Sequence, residues 1–438
     1  MKSKVKSELP GNAFWVLISV LVAGLSLGLG ILMQSSSLKF VIMALVAASA
    51  WLFWMLLKGI SLPRLLILVS LIYLMPMQYA FYFALVMLLL VLVADMYHLR
   101  KREIIITYPL SFLILIIFGG IALSKTYAPE GSLYFTATVV VPVICFLVIG
   151  NSRRDKPALD TWMRVISLVA LLVGLYGIYV ALMNPTKRIG STWSNAMTIN
   201  GFYALAFFFS IALAFKARLM RSRGFWILTA VIIFLGMLFT YTRMAMLAIV
   251  FGMGLLILKY RRIRTWGLVA IALIPLMIPS AMMNRGEAVS MIDISILIRL
   301  IAWYKAFGII RNNLFTGIGF STWREIYQNM IPLPSLYAQH AHNVYINLLV
   351  EFGLFGTLAY LGIIFRSLRS YYLRAVRPKG DIVAYCLWTG MLSLMFACLT
   401  DIFIQQFQIS LLFWITLALM VREAKPVALS TEADLAQE

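Results

Sequence analysis

The chain has few charged residues and few of the residue types that usually carry out chemistry. Only 12% of its 438 residues are charged, and it contains three histidines and three cysteines. Charges make up about a quarter of a soluble globular domain, so the composition excludes that class. The cysteines lie singly in apolar runs, which excludes a disulfide scaffold. The sequence also lacks a phosphate-binding glycine loop, an outward acidic pair and a His/Cys metal spacing.

Apolar residues dominate instead. They make up 63% of the chain, and the mean hydropathy is +0.94. The apolar runs are long and continuous, whereas the strands of a membrane barrel are short and alternating. Because hydrocarbon offers no hydrogen bonds to the backbone, such runs must be helical. The sequence therefore predicts an all-α polytopic integral membrane protein with 12–14 transmembrane helices, the first an uncleaved span over 13–33.

The net charge of +21 does not indicate nucleic-acid binding, because the basic residues occur in short clusters between apolar runs. This pattern is typical of cytoplasmic loops, which are enriched in Lys and Arg. An even number of spans then places both termini in the cytoplasm. The basic clusters lie at the N-terminus and at 98–103, 152–156, 216–223, 259–264, 366–379 and 422–425.

The same patterns predict the organisation of the chain. A transmembrane bundle occupies 1–283 and includes an outer loop at 184–200, and one long periplasmic loop with short surface helices occupies 284–341. C-terminal transmembrane helices occupy 342–425, and a disordered cytoplasmic tail occupies 426–438. Within the long loop, 296–310 has the periodicity of a helix with a wet face, and the glycines in 312–320 predict a turn.

Two of the three histidines, His340 and His342, stand together at the outer mouth of a predicted helix. Histidine can accept a proton near neutral pH and can act as a general base; an interfacial histidine with a satisfied hydrogen bond is the other interpretation. A helix that starts near His342 would place Gly353 and Gly356 on the same face, where glycines permit close packing. Asn343 is positioned to hold the ring of His342.

Several charged residues fall on the outer side or within the apolar runs. Arg188 precedes a span and Arg243 stands at a tight turn. A guanidinium suits phosphate oxygens, although each arginine could also be an interfacial side chain that extends to water. Glu351, inside an apolar run, must be paired or protonated, or it serves helix packing alone. Further basic residues of the long loop are Arg285, Arg299 and Arg311.

Three motifs in these regions resemble a known family. His342-Asn343, nine residues and then Gly353-x-x-Gly356-Thr357 resembles the histidine signature of bacterial O-antigen ligases, and Arg243 with Leu247 fits their arginine signature. The segment 299–319 resembles the family's loop before the histidine. The stretch 188–202 resembles its first outer loop, with Ala196-Met197 where the family often has Pro-Asn.

The resemblance implies an inverting glycosyltransferase of the bacterial inner membrane that works on its outer face and needs no cofactor and no metal. It implies a donor glycan on undecaprenyl pyrophosphate, an acceptor hydroxyl on lipid A–core or another glycan, and membrane lipids as surroundings. The expected catalytic residues are His342 as the base, with Arg243 and Arg188 on the pyrophosphate. The expected substrate-binding residues are His340, Arg299, Asn343, Arg285 and Arg311.

Two alternatives remain open at this stage. A polysaccharide polymerase of the same family would use the same donor and extend another lipid-linked glycan. A transporter of lipid-linked sugars would need charged residues along a path through several helices. The chain offers few such residues: Arg164, Glu351, Asp95 and Asp401.

Overall fold

The computed structural model describes residues 62–75, 107–126, 129–151, 158–184, 188–193, 195–261, 263–265, 267–268, 294–331, 336, 338–378 and 380–424. Every regular element in these ranges is a helix. Five of the helices are long and apolar enough to cross a membrane. The predicted all-α polytopic membrane class is therefore confirmed. The total of 12–14 spans stays a prediction, because several of the apolar segments lie outside the described residues, as does Arg285.

The described helices follow one another along the chain with short connections. The first half contains α1 (Leu62–Ser70), α2 (Pro109–Ser124), α3 (Pro129–Phe135), α4 (Val141–Asn151), α5 (Ala158–Met183), α6 (Ile199–Lys216) and α7 (Met220–Leu238). The second half contains α8 (Arg243–Lys259), α9 (Ile294–Asn313), α10 (Trp323–Met330), α11 (Val344–Tyr371), α12 (Ile382–Ala397) and α13 (Phe407–Glu423). A π-helical turn, Thr136–Val140, joins α3 to α4.

Helix α13 forms the centre of the bundle. All of its residues from Phe407 to Arg422 are buried, as expected for a helix that is apolar on every side. Its polar atoms are bonded to neighbouring helices, since Thr416 Oγ1 accepts the indole N–H of Trp162 at 3.0 Å and Trp414 donates its own to Tyr360 Oη at 3.0 Å.

The bundle has two chemically different ends. At one end Lys216 Nζ lies 2.8 Å from Asp160 Oδ1, and Tyr260 donates to the carbonyl of Gly380. The basic clusters of 216–223 and 259–264 lie at this end, which we call the basic end. The opposite end, which we call the histidine end, carries 338–343 and the turn 398–402.

Helix α11 begins later than the sequence suggests and is broken. Asn343 is its N-cap, with Oδ1 accepting the N–H groups of Tyr345 at 2.9 Å and Ile346 at 3.1 Å, a favoured use of asparagine. The helix is interrupted at Gly353, where φ is 69° and ψ is −177°. The expectation that His342 shares a helical face with Gly353 and Gly356 is therefore wrong, because the helix does not include His342 and does not continue regularly through Gly353.

The loop after α9 inserts its backbone into this break. Leu354 N–H donates to Leu314 O at 2.7 Å, Ile318 N–H to Val350 O at 2.9 Å and Gly319 N–H to Glu351 O at 3.2 Å. The bonds satisfy backbone groups that a broken helix leaves open. Gly317 and Gly319 have φ values of 66° and 92°, so the predicted glycine turn over 312–320 is confirmed.

The predicted helix over 296–310 is also confirmed, as α9. Its expected wet face is wrong, since the exposed residues on this helix include Ile296, Leu300, Tyr304 and Phe307. The opposite face packs Ala302 and its neighbours against α11.

Candidate active site

His340, His342 and Asp401 converge at the histidine end. Nδ1 of His342 lies 3.7 Å from Oδ1 of Asp401, and Nε2 of His340 lies 3.9 Å from the same oxygen. Their side chains are 19%, 21% and 13% exposed for His342, His340 and Asp401 respectively. The cluster is thus largely sheltered but still reachable from outside. We call it the histidine cluster.

The segment 340–342 is held rigidly by hydrogen bonds to its backbone. Ala341 O accepts the indole N–H of Trp303 at 2.8 Å, and Ala341 N–H donates to Asn347 Oδ1 at 3.2 Å. His342 has a φ of 48°, which is uncommon for a residue with a side chain. Its N–H donates to Nδ1 of His340 at 3.2 Å, and the two rings meet edge to face, with centroids 4.3 Å apart.

These contacts define the protonation of the cluster. Because Nδ1 of His340 accepts a hydrogen bond, its ring proton belongs on Nε2, which faces Asp401. Burial, reinforced by the charges of His342 and Arg299, outweighs Asp401 and lowers the pKa of His340 to about 4. Burial would raise the pKa of Asp401, but the two histidines and the N–H of Ile402 outweigh it, so the pKa is lowered. At neutral pH, His340 is therefore neutral and Asp401 ionised.

His342 is the histidine placed to act on a substrate. Its Nδ1 is buried, makes no hydrogen bond among the described residues and faces Asp401. That orientation leaves Nε2 as the nitrogen that can meet a substrate. A carboxylate beside Nδ1 fixes the tautomer with the basic lone pair on Nε2 and stabilises the ring once it is protonated.

A buried polar chain supports the cluster from below. Asn347 Nδ2 donates to Gln405 Oε1 at 3.1 Å, and Gln405 Nε2 donates to Glu351 Oε2 at 3.2 Å. The other oxygen of Glu351 accepts the N–H of Ser321 at 3.1 Å. Glu351 is 3% exposed, so this geometry supports the structural interpretation of its carboxylate: it joins the loop in the helix break to the segment below the histidines.

The predicted arginines occupy different positions around the histidine end. Arg299, on α9, donates from Nε to Thr400 O at 3.3 Å, next to Asp401. Arg188 donates from Nε to Thr240 O at 3.1 Å and from its terminal nitrogen to Thr242 Oγ1 at 3.2 Å. Arg243 is the exposed first residue of α8. Arg188 and Arg243 thus form a second group, around the turn 240–243.

Helix packing places this turn at the level of the histidine cluster. Ser393 of α12 donates to Ala248 O of the antiparallel α8. From these residues, Ala397 and Arg243 lie about 6 and 8 Å along their helices at 1.5 Å per residue. Arg243 is therefore at the same end of the pair as the turn that carries Asp401.

The remaining predictions have mixed outcomes. The side chain of Asn343 is bonded to backbone, through its cap and to Leu399 O at 2.9 Å, and is not bonded to the ring of His342. Arg311 is exposed near the C-terminal end of α9. Asp401 was missed as a partner of the histidines, because a lone aspartate after an apolar run carries no signal of where it folds.

The histidine cluster also has a composition that can bind metal. Each of its three residues offers a ligand atom, and these atoms lie within 4.8 Å of one another. Zinc bonds of about 2.0–2.2 Å to nitrogen and oxygen would require the side chains to move inward. The same arrangement therefore permits a metal site or a metal-free acid–base pair.

Comparison with known proteins identifies one region. Residues 228–361 match the family model described as O-Antigen ligase. The matched segment runs from within α7 into α11 and includes Arg243, Arg299 and both histidines of the cluster. No curated protein matches the chain.

Proposed function

The chain carries a domain of the O-antigen ligase family, and from this premise we propose that it transfers a glycan from undecaprenyl pyrophosphate to a hydroxyl of lipid A–core or a similar acceptor. The proposed reaction takes place at the histidine end of the bundle, on the periplasmic face of the bacterial inner membrane. The basic end then faces the cytoplasm, as the distribution of Lys and Arg favours.

The observation that carries the proposal is the pairing of His342 with Asp401. An imidazole oriented by a buried carboxylate is a recurrent general base, and its contribution is typically about 10²–10⁴-fold in rate. His340 is less suited to this role, since its Nδ1 is bonded to backbone and its pKa of about 4 makes it a weak base.

The proposed step conserves protons and electrons. Nε2 of His342 takes the proton of the acceptor hydroxyl as the oxygen attacks the anomeric carbon. The bond from that carbon to the phosphate oxygen breaks, and undecaprenyl pyrophosphate leaves with the electron pair. A single displacement inverts the anomeric centre. Asp401 stabilises the imidazolium until the proton is released to solvent.

Arginines suit the other half of this reaction. Negative charge grows on the pyrophosphate as the bond breaks, and a positive group placed there stabilises the transition state more than the ground state. Arg243 and Arg188 are the first candidates, because they stand together at the turn 240–243. Arg299 is the third, because it is anchored beside Asp401. Asn343, His340, Arg311 and Arg285 are proposed to contribute to substrate binding.

A polymerase of the same family would use the same base and the same leaving group, so the acceptor distinguishes the two. Transport is less supported by the described residues. Arg164 is paired with Asp160 at the basic end, and Glu351 is bonded to Ser321 and Gln405, so these charges do not form a path.

Reconstitution tests the proposal directly. Proteoliposomes receive undecaprenyl-pyrophosphate glycan together with lipid A–core, and the products are separated by mass. We expect glycan attached to core, and its loss with His342→Gln. Lengthened lipid-linked glycan without a core product would identify a polymerase. Movement of lipid-linked glycan without a covalent product would identify a transporter and overturn the proposal.

A further inference from the structure

Helix α9 has two apolar faces, and only one of them is covered within the described residues. Ala302, Ala306 and Ile309 on the inner face are at most 4% exposed and pack against the first half of α11. The outer face is defined by Ile296, Leu300, Tyr304 and Phe307, at 51%, 52%, 77% and 59% exposure. These four residues recur at intervals of four, four and three, so they form one continuous stripe. An uncovered apolar stripe of this kind marks an interaction surface.

The stripe continues onto the membrane-facing surface of the bundle. Phe315, just after α9, is 56% exposed and stacks on Phe355 of α11 with ring centroids 5.7 Å apart. Phe355 in turn lies 5.1 Å from Phe118 of α2. Both α2 and α11 are apolar helices, and α11 is a candidate span. Next to these rings, Ile116 and Leu358 are 71% and 58% exposed, as expected for lipid-facing side chains.

The charges of α9 also fit a lipid surface. Between Ile294 and Asn313 the helix contains Arg299, Lys305 and Arg311 and no acidic residue. Helices that lie in the membrane interface combine an apolar face with Lys and Arg, whose charges attract anionic head groups. Tyrosine, as at position 304, is enriched at this level because its ring is apolar and its hydroxyl is polar.

We propose that the outer face of α9 lies in the boundary between head groups and acyl chains of the bilayer at the histidine end. The occupant of the stripe is phospholipid. The inner side of the same helix holds the histidine cluster, through Trp303 on Ala341 and Arg299 on Thr400. Lipid contact on one side of α9 therefore fixes the height of His342 above the membrane. This inference concerns the placement of the helix and does not depend on the proposed reaction.

Spin-label accessibility tests this placement on the full chain. Leu300→Cys, Tyr304→Cys and Phe307→Cys are labelled one at a time with a nitroxide, in nanodiscs of phosphatidylethanolamine and phosphatidylglycerol. The native Cys145, Cys386 and Cys398 are buried, and the unsubstituted protein measures any background labelling. Ile116→Cys serves as the lipid-facing control. Glu325→Cys, on an exposed position of α10, serves as the water-facing control.

We expect all three labels on α9 to resemble the Ile116 control, with a high ratio of oxygen to nickel-chelate collision rates. A ratio like that of the Glu325 control would show that the stripe faces water and would overturn the proposal. Protection from both reagents would also overturn it, because the stripe would then be covered by protein. Spin–spin broadening in that case would identify a second copy of the chain. The measurement requires no turnover, so it stays informative if the proposed transfer reaction fails its own test.

Discussion

Nδ1 of His342 faces the carboxylate of Asp401 across 3.7 Å, although the two residues belong to different helix connections. Backbone contacts on either side fix this approach. Val344 N–H donates to Cys398 O at 2.9 Å, and Asn343 Nδ2 donates to Leu399 O at 2.9 Å. The turn after α12 is therefore tied directly to the start of α11. The pairing of imidazole and carboxylate is built into the fold and does not rest on two mobile side chains alone.

The first prediction concerns the members of this pair. His342→Gln removes the base while keeping a polar side chain of similar size, and we expect the turnover rate to fall by about 10²–10⁴-fold. Asp401→Asn keeps the shape but removes the charge that stabilises the imidazolium, and we expect a smaller fall in kcat with little change in KM. Steady-state kinetics in proteoliposomes at neutral pH measure both effects.

His340→Asn is the matched control for these variants. Asparagine can accept the N–H of the residue two positions on, so it can replace Nδ1 of His340 as the partner of His342. We expect it to retain much more activity than His342→Gln. If His340→Asn is the more damaging change and His342→Gln retains most of the activity, the base has been assigned to the wrong histidine.

The second prediction is a loss of stability in mild acid that originates at His340. Its folded pKa of about 4 lies below the ordinary 6.5, so between these values the unfolded chain binds a proton that the folded chain does not. Stability then rises with pH across this window and falls on acidification. The largest effect is about 3 kcal/mol, reached near pH 4. Asp401 has a lowered pKa, so its stabilising contribution is lost only at lower pH, below its ordinary 3.8.

Thermal unfolding of detergent-solubilised protein at pH 7.5 and pH 4.5 measures this effect. The unsubstituted protein is expected to lose more stability on acidification than His340→Asn, which has no titrating side chain at this position. Equal losses in the two proteins would show that His340 is not the group responsible.

Sequence patterns predicted the parts of this molecule that depend on local composition. Long apolar runs predicted the helices, and the spacing of basic clusters predicted one basic end. The paired histidines marked the site because both its imidazoles lie two positions apart. Asp401 could not be found in this way, because its approach to His342 depends on how α11 and α12 pack. The break at Gly353 was missed for a related reason. A glycine among apolar residues also suits a helix contact, and its positive φ follows from the loop that enters beside it.

The third prediction concerns metal. The histidine cluster has ligand atoms within 4.8 Å of one another, whereas the proposed mechanism uses the same residues without an ion. We therefore expect activity to be unchanged after dialysis against a chelator and in metal-free buffer. Metal analysis of the purified protein accompanies the assay. Loss of activity on chelation, restored by zinc, would show that the ring nitrogens act as ligands and that another group is the base.

The last prediction addresses the broken helix. A Cβ at Gly353 would stand 2.5 Å from Phe315 O and 2.7 Å from Gly317 N, and φ at this position is +69°. Gly353→Ala must therefore strain its own backbone and push the inserted loop out of the break, at a cost of at least about 2 kcal/mol. Gly362→Ala is the matched control on the same helix, since its Cβ meets nothing within 4 Å and alanine favours helix. We expect thermal unfolding to show a clear loss for Gly353→Ala and none for Gly362→Ala. Because the displaced loop includes Ser321, whose N–H bonds to Glu351 below the histidine cluster, turnover should fall with stability. Unchanged stability in Gly353→Ala would mean that the loop does not enter the helix break.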